Sequence, residues 1–273
     1  MIIHTFGQYL EAINSDKPLS VIRLGNVEAS QLCSINNAVI PKLKSNAGWF
    51  GKDADIKKWK NLMYKAMLNA DLNLQVVSCS SFFICNDAIT QLGLFIPTLP
   101  YSEDIKFYLD FISSFNTNNI GIVSNFTKDM IRQAKIIDYI FPPSKERGSY
   151  LNKDLCKWKY INSLNTCEGS EPNDKTWLEV FEDLKKRTLA QDCDIYLVSC
   201  GCYGIPLCNA IKEAGKKAIF VGGLLQLLFG LKGKRWLNRP EINKYFNQYW
   251  ISPTSKPKNW RNIEFGGCYW LDE

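Results

Sequence analysis

Histidine is nearly absent: His4 is the only one in 273 residues, far from every other feature of interest. That leaves the ten cysteines without a base close by in sequence, so a catalytic thiol at Cys200 or Cys202 is disfavoured. Zinc is disfavoured with it. Cys200-x-Cys202 followed by Cys208 does not have the spacing of a zinc ribbon, and no second cysteine pair supports it. No apolar run is long enough to cross a bilayer. The longest, AIFVGGLLQLLFGL at 218–231, carries Gln226. The first residues, MIIHTFGQYLEAINSD, lack the basic start and unbroken apolar stretch of a signal peptide. These absences read as a soluble, cytoplasmic protein with no transmembrane segment and with reduced cysteines. Internal repeats, low-complexity tracts and Gly/Ser-rich linkers are missing too. The chain is therefore expected to form one domain over 1–273, with a loop-rich insertion at 142–173 and an irregular C-terminal wrap at 237–273.

What is present suits a large globular core: 46% hydrophobic and 22% charged residues. The formal charge of +6 is modest. Its basic residues gather at LKGKRW (231–236) and SKPKNWRN (255–262) without interleaved aromatics on one evident face, which argues against nucleic acid and for a phosphorylated ligand.

Strand-like runs alternate with helical patterns. SVIRL (20–24), LQVVSCSS (74–81), NIGIVS (119–124), IIDYIF (136–141), DIYLVS (194–199) and KKAIFVG (216–222) are the expected strands. Helices are expected over 54–70, after a cap at Asn125 or Thr127, from Asp174 to Leu189, and over GIPLCNAIKEAG, closed by Gly215, while a further segment starts near Asn86. Such alternation predicts βαβ units and a mostly parallel sheet covered by helices, an α/β fold.

In such a sheet, ligands sit beyond the C-terminal strand ends. Gly201 and Gly204 fall at one of these, in CGCYG, just before a helix whose first turn accommodates Pro206. CGCYG is neither G-x-G-x-x-G nor a Walker A loop. Two readings of it stay open: close approach to a phosphate, or a tight turn needing glycine for geometry alone. A second glycine pair, Gly222-Gly223, ends the next strand and favours a ligand site.

VIRLGNVEA (21–29) resembles the N-terminal signature of GT-D-type glycosyltransferases and their bacterial and viral relatives, in which a strand runs into a turn carrying an acidic-x-Glu motif. GIVSNFTKDMIRQ (121–133), the stretch 194–236 and the terminal NQYWISP and IEFGGCYW extend the resemblance over most of the chain, toward relatives linked to surface-polysaccharide synthesis. It implies a Rossmann-like, three-layer fold and transfer of a sugar from a nucleotide-sugar donor to a glycan or lipid-linked glycan acceptor. The founding enzymes carry Asp-x-Glu, with a divalent metal implicated. Here the motif reads Asn26-Val27-Glu28, so Mg²⁺ or Mn²⁺ at Asn26 and Glu28 is expected to be held more weakly.

On this reading Glu28 is the acid/base candidate, with Asp87 and Asp129 in reserve. Arg23, Lys232, Lys234 and Arg235 are candidates for neutralising a diphosphate. Gly25, Ser124, Asn125, Tyr203 and Gln226 complete the candidate ligand-binding set. Trp236, Trp250, Tyr269 and Trp270 are either stacking rings or core. Two rival classes remain: another transferase using phospho-sugars or nucleotides, such as a pyruvyl or phosphoryl transferase, and a non-catalytic nucleotide- or glycan-binding protein.

Overall fold

The computed structural model describes residues 3–34, 39–52, 55–75, 79–142 and 153–272. Seven strands form one sheet: β1 (Leu19–Ile22), β2 (Leu72–Gln75), β3 (Thr98–Pro100), β4 (Ile120–Ser124), β5 (Lys159–Asn162), β6 (Ile195–Ser199) and β7 (Lys217–Phe220). Their order across the sheet is β3-β2-β1-β7-β6-β4-β5, and every pair is parallel. The helices of eight or more residues are α1 (Phe6–Asn14), α2 (Asn26–Cys33), α3 (Ile56–Leu68), α4 (Cys79–Gln91), α5 (Ile105–Ser113), α6 (Thr127–Ala134), α7 (Trp177–Leu189) and α8 (Gly204–Glu213).

Alternation along the central strands separates two apolar layers. Ile120, Ile122, Ile195, Leu197 and Ile219 enter one core with residues of α1, α5, α6 and the C-terminal segment. Val123, Tyr196, Val198, Ala218 and Phe220 enter the other with α2, α3, α4, α7 and α8. A sheet buried on both faces needs near-continuous apolar strands, which IGIVS and IYLVS supply. The result is the three-layer α/β fold. No helix among the described residues is long and apolar enough to cross a membrane.

Several expectations need correction. IIDYIF is a short helix, Ile137–Ile140, not a strand; Tyr139 and Ile140 both donate from N–H to the carbonyl of Ile136. Its apolar residues at 136, 137, 140 and 141 have helical spacing, and both neighbours of β4 are already other strands. The second strand ends at Gln75, with 76–78 outside the described residues, and Cys79 onward is helix. The stretch 142–173 contains the edge strand β5, where only Ile161 is buried, so no alternation marked it. Residues 143–152 lie outside the described residues. Neither Asn125 nor Thr127 caps α6: Phe126 stands at the cap position, and Ser124 Oγ accepts its N–H at 3.2 Å. Thr176, not Asp174, caps α7, in a capping box with Glu179. Gly215, with φ +81°, does follow the end of α8.

Packing between β4 and β6 demands glycine at one point. A Cβ on Gly121 would lie 2.5 Å from the ring of Tyr196. That ring is fixed, because its hydroxyl donates to Thr188 O at 3.2 Å and accepts from Cys193 N at 3.0 Å. Gly121→Ala is expected to destabilise the protein by about 1–3 kcal/mol, the usual cost of overpacking a core. Chemical denaturation with unchanged m-value would check this.

Candidate active site

The C-terminal ends of β1, β7, β6, β4 and β5 open into a cavity of about 710 Å³, within the range of small-molecule sites. Beyond β1, the chain passes Arg23 and Leu24 to Gly25, which caps α2 without a side chain. Glu28, at the third helical position, turns its carboxylate back over Gly25, so closely that a Cβ there would collide with it. From α4, the Cys85 thiol donates to Leu24 O at 3.3 Å and weakly to Asn26 Oδ1 at 3.7 Å. Burial pushes the Glu28 carboxyl above its ordinary value, and the charge of Glu264 adds to the rise. The backbone N–H at Glu28 and the Arg23 guanidinium oppose it without cancelling it.

Beyond β7, Gly222 adopts φ +67°, a conformation that favours glycine. The Arg23 guanidinium is 3.0 Å from where a Cβ on Gly222 would stand, and it stacks on the Tyr101 ring at 4.6 Å. Arg235 lies 3.8 Å from the matching point on Gly223. Neither arginine finds a hydrogen-bond acceptor among the described residues, and Arg23 Nε is buried. The nearest carboxylate to Arg235 is Glu264, whose Oε1 is 3.7 Å from Nη1. Glu264 Oε2 accepts instead from the Tyr269 hydroxyl at 2.5 Å. Arg239, also in the lining, is matched by Glu103 and Glu241.

Both glycines of CGCYG have a geometric reason to be glycine. Gly201 (φ +55°) backs onto the Ala47 carbonyl, and Gly204 faces the Phe220 ring; an added Cβ would collide with each. Gly201 lines the cavity and Gly204 does not. Tyr203 reaches the lining, with its ring stacked on Trp177 at 4.9 Å and its hydroxyl 2.9 Å from Thr166 Oγ1. Burial pushes the thiols of Cys200, Cys202 and Cys208 far up, which suppresses thiolate chemistry.

Arg23, Gly25, Asn26, Glu28, Asn125, Gly222, Gly223, Gln226 and Arg235 are brought together around the cavity. Ser124 is not; it is fully buried. Lys234 is not: its ammonium donates to Gly266 O at 2.6 Å and pairs with Asp272 at 3.2 Å. Lys232 also lies outside the lining, over the Phe246 ring. Asp87 is exposed on α4. Asp129 is buried and holds Thr254 through N–H (2.8 Å) and hydroxyl (2.7 Å), so it fastens the C-terminal segment. Trp236, Trp250 and Trp270 belong to the core, Trp270 at the edge of the cavity, and Tyr269 is partly buried in the lining. Sequence reasoning missed Glu103, Glu264, Arg239 and Thr166.

Among the described residues, no group of three or more His, Cys, Asp or Glu side chains is placed to hold a metal ion. The donor chemistry near α2 is one carboxylate, Glu28, and one carboxamide, Asn26. That pair suits a divalent cation only when a ligand's phosphate oxygens complete the coordination.

The chain matches no protein-family model and no curated protein. Two solved structures are similar to it in the course of the chain. One is a glycosyltransferase (DUF1792) from Streptococcus sanguinis, at TM-score 0.48 and 12% identity, covering 95% of this chain and 97% of the other. The second is a selenomethionine-substituted domain of unknown function 1792, at TM-score 0.47 and 12% identity, covering 89% of each. The architecture described above rests on this chain's own strand pairing.

The raised Glu28 carboxyl has a measurable consequence. Because its folded-state value lies above the ordinary 4.5, ionised Glu28 costs stability at neutral pH. That cost is relieved as pH falls through the folded-state value. Glu28→Gln is therefore expected to melt higher than the wild type at pH 7–8, with the gap closing as pH approaches 4.5. Melting curves across pH 4–8 check this; a constant gap would mean that ionisation is not its source.

Proposed function

We propose that this protein is a glycosyltransferase that moves a sugar from a nucleotide-sugar donor to a glycan or lipid-linked glycan acceptor. One observation carries the reading. Arg23 and Arg235 press on Gly222-Gly223 at a strand end with guanidinium donors unfilled, beside the elevated carboxyl of Glu28. Arg23 Nε is buried without an acceptor, which is costly, and the forked donors of both partly buried guanidinium groups match phosphate oxygens. A nucleoside diphosphate supplies those acceptors.

In the proposed reaction the acceptor hydroxyl oxygen bonds to the anomeric carbon as the bond from that carbon to the diphosphate oxygen breaks. Glu28 takes the hydroxyl proton; a carboxyl raised by burial is better matched to that task than an exposed one. Arg23 and Arg235 meet the charge that develops on the leaving diphosphate. A divalent cation, when bound, would be held by Asn26 and Glu28 together with the phosphates and would supply further neutralisation. Gln226 stands at the edge of the same group, donating to Tyr269 O at 3.0 Å.

The test is a thermal-shift screen of nucleoside diphosphates and nucleotide sugars, with and without Mn²⁺. A ligand at one hundred times its dissociation constant adds about 2.7 kcal/mol of stability. The double variant Arg23→Ala/Arg235→Ala is expected to lose at least about tenfold in affinity, since hydrogen bonds to charged groups contribute about 1.5–3 kcal/mol each. Unchanged binding in that variant, or no shift with any of these ligands, would overturn the reading. Glu28→Gln should bind donor and lose turnover. If the wild type binds donor without turnover on any acceptor, the protein is a nucleotide- or glycan-binding protein instead.

A further inference from the structure

Glu264 occupies a place that neither the arginine pair nor Glu28 explains. On one side it stands 3.7 Å from Arg235, at the edge of the proposed diphosphate subsite. On the other it lines the same cavity as Glu28. A sugar joined to a diphosphate held by Arg23 and Arg235, and attacked beside Glu28, has to lie between those two points. Glu264 borders that space, and so does the partly buried Tyr269.

The carboxylate is also held in place. The Tyr269 hydroxyl fixes Oε2 at 2.5 Å, and Tyr269 O in turn accepts from Gln226 Nε2 at 3.0 Å. Two ladder-like bonds, Lys234 N to Trp270 O and Arg235 N to Cys268 O, both 3.0 Å, tie this return of the chain to the segment carrying Arg235. Oε1 has Arg235 only at 3.7 Å, beyond hydrogen-bond reach, which leaves it able to accept a hydroxyl. A positioned carboxylate beside an aromatic ring is suited to a neutral sugar: it accepts from hydroxyls while the ring covers a C–H face.

Resting on the function proposed above, we infer that Glu264 reads the hydroxyls of the transferred sugar and restricts the donor to uncharged sugars. The second part follows from charge. Glu28 and Glu264 both border the space, and an anionic sugar such as a uronate would meet two carboxylates there.

Isothermal titration of wild type and Glu264→Gln tests this with UDP-glucose, UDP-N-acetylglucosamine, GDP-mannose, UDP-glucuronate, UDP and GDP. The carboxamide introduced by that substitution retains an acceptor for the Tyr269 hydroxyl, and matching circular dichroism would show that the variant is folded. The wild type should bind a neutral nucleotide sugar more tightly than the corresponding diphosphate. Glu264→Gln should lose about tenfold for that nucleotide sugar, the loss of one charge-assisted hydrogen bond, while binding of UDP or GDP changes by less than about twofold. The disadvantage of UDP-glucuronate should shrink. Equal losses for the sugar-bearing and sugar-free nucleotides would overturn the inference, assigning Glu264 to Arg235 alone; so would no change in either. Wild type that binds diphosphates but gains nothing from the sugar overturns this inference and leaves the diphosphate subsite standing. Wild type that binds none of the six overturns both.

Discussion

The parallel pairing of β1 with β7 is the constraint on which the rest of the site depends. Leu19 faces Lys217 and Val21 faces Ile219, so strands from opposite ends of the chain run side by side and stop together. Neighbouring strands lie about 4.8 Å apart, and whatever follows them emerges at that spacing. Arg23 therefore lands on Gly222, and Glu28 turns in beside them. Gly222 admits this approach because it has no side chain, and its positive φ turns the chain toward the segment that carries Arg235.

Charge in the cavity is balanced in number and unbalanced in hydrogen bonding. Three arginines (23, 235 and 239) and three glutamates (28, 103 and 264) line it. Arg239 is matched by Glu103. The other two arginines feel the glutamates only as nearby charge, so the Coulomb cost of burying them falls while their N–H groups stay unfilled. Such a cavity can recruit an anion without carrying a large net positive field. Selection then rests on the geometry of the donors, which is where a forked phosphate differs from a simple anion.

The legible parts of this chain were those whose neighbours are dictated locally. IGIVS and IYLVS show as strands because both faces are buried, and α8 shows its end through Gly215. Edge strand β5 stayed hidden because three of its four residues are not buried, and 136–141 misled because a short apolar run fits either period. In the site, Arg23, Glu28 and Gly222-Gly223 were legible as residues at strand ends. Gly204 fitted a ligand contact or a tight turn equally well in sequence and faces Phe220 in the structure, because a glycine signals that space is needed without saying what takes it. Lys234 looked like Arg235 in sequence, yet its ammonium is committed to Gly266 and Asp272. Glu264 and Arg239 were hidden because their position depends on where the C-terminal segment returns, which is a property of tertiary contacts.

Glu28 shows most directly why local sequence understates the site. Glu179 occupies the same third position in α7 that Glu28 occupies in α2, and both turn back toward the capping residue. Glu179 is exposed, and the backbone and hydroxyl of Thr176 hold its carboxyl below the ordinary value. Glu28 also gains from a helix start and a backbone N–H, yet burial and the charge of Glu264 move it the other way. Helix capping alone would leave both carboxyls shifted downward. The difference between them therefore comes from what the sheet edge and the returning C-terminal segment build around Glu28. That environment works against stability at neutral pH, so Glu28 is held where it is at a cost that the rest of the fold offsets.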